Sequence, residues 1–345
     1  MWDRPPVEGG DAVGGSAGLI GGRSMRFDRA YARVGGHYWT LRRALEARLR
    51  PRPLPGANPW SSTVADDGLG PVALTGAMHR QESDTVLVIV HGLGGSAESY
   101  YCHTAAWAGL AAGFDVLRMN LRGADGSGAD VYHAGLTADL HACLAALEHP
   151  KLLLLGVSMG GHIGLWTSLQ SEDSRLRAVA AVCPPLDLAQ GCRDIDRRRR
   201  RLYRDEVLRS LLAAARPAIA RGRVPLALDA LSDITSLRRW DERVVVPRHG
   251  LGDVDAYHRA MSVGPQLGTM ARPSLVVLAR YDPMVLAETN ATMLRRHPPS
   301  PSVEVRWLDA GGHVGFPPDI DLGAPGPLGV YPQVVAWLGA HARLT

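Results

Sequence analysis

The sequence predicts an α/β fold: a mostly parallel central sheet flanked by helices and interrupted by a helical cap insertion. Three observations carry this expectation. Short apolar runs of buried-strand type recur at Val86 to Val90, Phe114 to Met119, Leu152 to Val157, Ala178 to Val182, Leu275 to Ala279 and Val303 to Leu308. Helical patterns fill most of the gaps, at Ser99 to Ala112, Leu136 to Glu148, Gly160 to Gln170 and Val285 to Arg296, and a last one runs from Pro332 to Ala342. The rhythm breaks once, between Cys183 and Leu275, where the patterns are helical and no strand is expected. Strands alternating with helices build βαβ units around a parallel sheet. Continuous rather than alternating apolar runs fit strands buried on both faces. An insertion after the fourth of these strands lies over the carboxyl edge of the sheet, where open α/β sheets bind ligands.

In chain order, residues 1–24 are rich in Gly, with Pro and Ala, and are expected to be disordered. Residues 25–60 read as an arm with one helix, Tyr38 to Arg50, ended by Pro51, Pro53 and Pro55. Two short strands around a turn at Asp66 to Gly70 follow between Ser61 and His79. Residues 25–345 are then read as a single domain that includes the cap, at about residues 186–270.

The chain has 345 residues, of which 46% are hydrophobic and 21% charged, so a sizeable core is available. A net charge of +4 is small for this length, and Lys151 is the only lysine among mostly arginine cations. The concentrated run Arg197 to Arg201 is offset by Asp194, Asp196, Asp205 and Glu206 and has no aromatic platform beside it. A solvated cap helix is the expectation there, and no nucleic-acid partner. Cys102, Cys143, Cys183 and Cys192 show neither a CxxC pair nor metal-ligand spacing, so reduced thiols and no metal are expected. No stretch approaches the roughly 20 consecutive apolar residues of a spanning helix. The first residues lack the apolar core of a signal peptide, so a cytoplasmic protein is expected.

The chemistry is concentrated in a few motifs. Leu152 to Val157 is an apolar strand that runs into Gly156-Val-Ser158-Met-Gly160 and then into a helix. Serine on a sharp strand-to-helix turn sits in a strained conformation, and flanking glycines let the turn close. The turn lifts Oγ above the sheet at a helix N-terminus, which favours developing negative charge. A neutral serine needs a base held by an acid. In strand–helix folds with such a turn these follow in the order Ser, Asp or Glu, His, each after a later strand. Asp282 follows the strand at Leu275, and His313 stands among small residues after the last strand. Asp309 is the rival acid, but it lies only four residues before His313. Oxyanion donors are expected from the backbone N–H of Met159 and of Leu93, the latter in His91-Gly-Leu-Gly-Gly95. His91 is expected to fix that loop.

Taken together, His91-Gly-Leu-Gly-Gly95, Leu121-Arg-Gly123, Tyr132-His-Ala-Gly135, Gly156 to Gly161, Tyr281-Asp-Pro283 and Gly311 to Phe316 resemble the YheT-like hydrolases. These are bacterial relatives of the eukaryotic abhydrolase carboxylesterases and lipases. Gly36-His-Tyr-Trp-Thr40 is similar to the N-terminal signature of that branch, so the resemblance runs from about residue 35 to the C-terminus. It implies the α/β-hydrolase fold and a cofactor-independent carboxylesterase with Ser158, Asp282 and His313 as its triad. It also implies a small-molecule substrate, a short- to medium-chain acyl ester or another lipid-like ester. Acyl transfer, thioester hydrolysis, C–C cleavage or a non-catalytic binding role on the same fold stay open. Two departures stand out. The HxxxxD element of some acyltransferase relatives is broken, because Ala138 occupies the acidic position and Asp139 comes one place late. His162 follows the nucleophile turn where a smaller or amide side chain is expected.

Overall fold

The computed structural model describes residues 21–50, 52–66 and 68–343, with side chains from Val34 onward. The expectation of disorder for residues 1–24 lies, up to residue 20, outside the described residues; residues 21–24 belong to the first helix. That helix, α1 (Gly21–Leu49), begins well before Tyr38. Gly35 and Gly36 read as an interruption, because glycine weakens a helix by about 1 kcal/mol. The structure carries the helix through them, and at Gly36 the reason is a close approach: a Cβ there would lie 2.0 Å from the Tyr281 carbonyl oxygen.

Eight strands form one sheet in the order β1-β2-β4-β3-β5-β6-β7-β8. β1 (Asn58–Val64) and β2 (Val72–His79) make an antiparallel hairpin, and β2 also pairs antiparallel with β4 (Asp115–Asn120). β3 (Thr85–Val90), β5 (Lys151–Val157), β6 (Leu176–Val182), β7 (Ser274–Ala279) and β8 (Val303–Leu308) complete the sheet, and every pairing from β4 to β8 is parallel. β3 and β5 are apolar at every position after their first residues, Thr85 and Lys151, because both faces are covered. Leu87, Ile89, Leu153 and Leu155 face α2 (Tyr100–Ala111) and α11 (Val330–Arg343). Val86, Val88, Leu152 and Leu154 face α3 (Ala138–Ala145) and the first turns of α4 (Met159–Gln170). α10 (Ala287–Arg296) lies between β7 and β8 in sequence and packs Met293 into the core beside Val276 and Leu278.

Between β6 and β7 the chain makes five α-helices, with short 3-10 turns between some of them, and no strand among the described residues. They are α5 (Leu188–Ile195), α6 (Arg201–Ala220), α7 (Leu237–Trp240), α8 (Val246–His249) and α9 (Val254–Met261), with a π-helical turn at Asp241–Val245. Buried apolar residues of these helices, among them Leu208, Leu211, Trp240 and Tyr257, cluster with Val131 and Ala134 of the body. Polar ties anchor the same surface. Arg248 pairs with Asp130 at 2.7 Å and with Asp66 at 3.1 Å, and the buried Arg122 pairs with Asp66, Asp130 and Asp139. A buried charge set of this kind holds only while it is complete, since removing one partner strands the others away from water.

Candidate active site

The carboxyl edge of the sheet gathers the motif residues. β5 ends at Val157 and α4 begins at Met159, so Ser158 makes the whole turn, with φ 53° and ψ −119°. The turn closes only because its glycines lack side chains. A Cβ on Gly156 would lie 2.2 Å from the Gly160 carbonyl oxygen, and one on Gly160 would lie 2.3 Å from the His91 carbonyl oxygen. Four described non-glycine residues have positive φ, and three of them, Ser158, Cys183 and Val314, surround this site. Strain of that kind collects where surrounding structure holds a functional geometry.

Ser158 Oγ lies 3.0 Å from His313 Nε2, and His313 Nδ1 lies 2.8 Å from Asp282 Oδ2. The other carboxylate oxygen of Asp282 accepts the N–H groups of Met284 and Val285 at 2.8 and 2.9 Å. Asp282 is therefore held as an acceptor from two sides, and both it and His313 are buried. The rival, Asp309, is exposed and pairs with Arg280 at 2.6 Å. Burial and the charge of Asp282 push the thiol of Cys183, beside the pair, well above its ordinary range.

The loop after β3 is arranged by hydroxyl acceptors that the sequence did not reveal. Tyr101 Oη accepts the Gly92 N–H at 3.1 Å, Tyr132 Oη accepts the Gly94 N–H at 2.8 Å, and the Gly95 N–H bonds to the Gly92 carbonyl at 3.0 Å. That leaves Leu93, whose N–H has no hydrogen-bond partner among the described residues. Met159 opens α4, where first-turn N–H groups have no acceptor within the helix. His91 sits beneath the loop. Burial lowers its imidazole to about 4, and the neutral ring donates from Nδ1 to the Gly92 carbonyl while Nε2 accepts the Leu121 N–H. It is a loop fixer, 0% exposed.

A cavity of about 1960 Å³ opens onto Leu93, Ser158, Met159 and His313, and cap residues Leu188, Ile195 and Trp240 line it. Trp107 joins the lining, whereas Trp166 donates Nε1 to the Met261 carbonyl at 2.7 Å, and Trp39 packs on α1 beside Tyr38. His162 is fully buried and ties the nucleophile helix to both ends of the cap, with its ring nitrogens 2.7 Å from the Pro185 carbonyl and 2.8 Å from the Met261 carbonyl. The broken HxxxxD element is likewise structural. Asp139 accepts two guanidinium N–H groups of Arg122, and the His133 ring lies against that of His249 at a 55° tilt with centroids 4.5 Å apart.

Two groups mix thiol, imidazole and carboxylate donors of the kind metals take. In one, Asp282 and His313 are already engaged with each other and with Ser158 beside Cys183. In the other, His258 Nε2 bonds Asp241 at 2.8 Å and Cys192 Sγ faces Asp196 at 3.8 Å. The arginine run forms a 3-10 turn at Arg198–Arg200 leading into α6, with Arg197 paired to Asp194. No helix among the described residues is long and apolar enough to cross a membrane.

Comparison with known proteins agrees with this architecture. The family model described as the alpha/beta hydrolase fold matches residues 85–319. YheT of Escherichia coli (strain K12), provisionally named an esterase, is 29% identical over 240 residues, covering 67% of this chain and 70% of the relative. The medium-chain fatty acid ethyl ester synthase/esterase 2 of Saccharomyces cerevisiae is 24% identical over 269 residues, 69% of this chain but only 59% of the yeast protein. Among solved structures, an esterase of Pyrococcus furiosus is 17% identical and aligns over 74% of this chain and 83% of its own, with a TM-score of 0.48. A hydrolase of Pseudomonas aeruginosa is 21% identical over 74% of this chain and 91% of its own, with a TM-score of 0.46. The matched span and the order of the eight strands carry the assignment: the chain belongs to the α/β-hydrolase-fold family.

Proposed function

We propose that this chain is a serine hydrolase of carboxylic esters, with Ser158 as nucleophile, His313 as general base and then acid, and Asp282 as the carboxylate that orients the imidazole. The observation that carries this reading is the continuous relay of 3.0 and 2.8 Å through the two ring nitrogens of His313. Ser158 Oγ attacks the acyl carbon as His313 Nε2 takes its proton. The oxyanion turns toward the Leu93 and Met159 N–H groups, each such donor contributing about 3 kcal/mol in comparable sites. Collapse breaks the acyl–oxygen bond, His313 returns the proton to the departing alkoxide, and the acyl group stays on Ser158. Water, deprotonated by His313, then releases the acid. Asp282 accepts the Nδ1–H of His313 and keeps the ring oriented throughout.

The substrate class follows from the cavity and the relatives. At about 1960 Å³ the space exceeds the roughly 300–1,000 Å³ of common small-ligand pockets, so acyl and alcohol parts both fit. The yeast relative is named for medium-chain fatty acid ethyl esters, and a short- to medium-chain acyl ester is the proposed substrate here. Its name also couples synthesis with hydrolysis, which favours acyl transfer as a second reading, since an alcohol can replace water on the same acyl-enzyme. Hydrolysis of a p-nitrophenyl ester series from acetate to palmitate, by the native chain and by Ser158→Ala, tests the first reading. Activity should vanish in the variant, by roughly 10⁴-fold or more, with circular dichroism unchanged; equal rates in both would sink it. Product analysis with added ethanol separates the second: ester formation at the expense of acid marks transfer.

A further inference from the structure

Helix α1 lies outside the span that the family model matches, yet it grips both loops that carry His313 and Asp282. Thr40 Oγ1 accepts the His313 backbone N–H at 2.8 Å. Its own hydroxyl proton goes to the Gly36 carbonyl, also at 2.8 Å, one turn back along the helix. That second bond fixes the hydroxyl rotor, so a lone pair faces the histidine. Around this contact the backbones meet with no side chain between them. A Cβ on Gly312 would lie 2.0 Å from the Gly36 carbonyl oxygen, and one on Gly315 would lie 2.3 Å from the Trp39 carbonyl oxygen. Gly36 itself abuts the Tyr281 carbonyl, next to Asp282. Arg43 adds a bond from Nε to the Phe316 carbonyl at 3.1 Å.

The gripped segment needs such support. Gly311 has φ 107°, and Val314, a β-branched residue, has φ 53°. Conformations of that kind persist where their surroundings over-determine them. The small residues that allow the loop to reach the serine do not hold it there by themselves. From these contacts we infer that Thr40 is a positioning residue for His313: its hydroxyl sets the backbone from which the imidazole reaches Ser158. The inference rests on the proposed relay through Ser158, His313 and Asp282. Replacing the hydroxyl by a methyl of the same shape leaves the helix packed and removes only the acceptor, so the His313 N–H loses its partner and the ring its fixed approach. A misplacement on the order of 1 Å is enough to cost about a hundredfold in rate.

The test compares the native chain with Thr40→Val, Thr40→Ser and Ser158→Ala. Two rates are read per folded molecule: turnover of the fastest p-nitrophenyl ester, and labelling of Ser158 by a fluorophosphonate, which needs the same base. Thr40→Val should lower kcat and the labelling rate by about 10- to 100-fold while KM stays within about twofold. Thr40→Ser, which keeps the hydroxyl, should restore both to within about threefold of native. A fall in melting temperature with both rates unchanged would overturn the inference and leave Thr40 as a docking contact. So would an equal loss in Thr40→Ser. Labelling that persists in Ser158→Ala would overturn the relay itself, a different failure with a different signature.

Discussion

Two turns at the carboxyl edge of the sheet hold a non-glycine residue at the same positive φ of 53°, and they are supported in opposite ways. The Ser158 turn is supported mainly by its own motif and by the adjacent strands, where the Ser158 N–H donates to the Val182 carbonyl at 2.8 Å. Gly156, Gly160 and Gly161 belong to the same short motif, and the strand before it and the helix after it are continuous with the core. The Val314 turn is supported from outside, by Thr40 and Arg43 on a helix 273 residues away in sequence and by Tyr331 Oη, which donates to the Val314 carbonyl at 3.2 Å. Strain that costs about 1–3 kcal/mol at each residue is thus offset by local geometry in one turn and by tertiary docking in the other. Ser158, the proposed nucleophile, is held mostly by residues near it in sequence and in the sheet. A base held by a distant helix depends on how that helix is seated.

Breaking the local support should give the largest effect. In Gly156→Ala the new methyl meets the Gly160 carbonyl at 2.2 Å, and the turn cannot close around it. Overpacking in so rigid a place costs about 3 kcal/mol, so the melting temperature and the activity should be lost together, read by thermal unfolding and ester turnover on one preparation. Gly312→Ala strikes the other support, since its methyl would lie 2.0 Å from the Gly36 carbonyl oxygen. There α1 can shift outward while the sheet stays intact. Stability should fall by only about 1 kcal/mol, while kcat per active site falls by about a hundredfold. Parallel loss of stability and rate in both variants would show that the two turns are not held differently. The smallest change is expected at Asp309→Asn. Its pair with Arg280 is exposed and worth roughly 0–1 kcal/mol, so turnover should stay within about twofold; a large loss would reinstate Asp309 as the acid.

The same contrast explains what the sequence makes legible. The Ser158 turn is written in contiguous residues between an apolar strand and a helix, so residue type and spacing are enough to find it. Asp282 and His313 are legible because the fold imposes an order on the strands that carry them, and the structure brings both to Ser158. Leu93 is legible as a motif position, but the reason its N–H is free is not. Tyr101 and Tyr132 occupy the neighbouring amides from elsewhere in the chain. Thr40 is illegible, because a threonine in a helix gives no sign of an acceptor needed by a distant loop. The start of α1 is misread for a related reason: Gly36 looks like a helix breaker until the carbonyl of Tyr281 is seen against it. The cap shows itself as missing strands, while the residues that tie it down, Arg248 and His162, look like any other polar residues.

The seating of α1 also sets an order of assembly. Helix α1 is synthesised before the surface it docks on, Tyr281 and residues 312–316. Until those residues are made α1 has no native site to occupy, and its closure joins segments 273 residues apart in sequence. Such contacts carry the full entropy of a long loop and form late. The strands can pair and the cap can collapse before this happens. His313, the proposed base, would then reach its place after the sheet has formed.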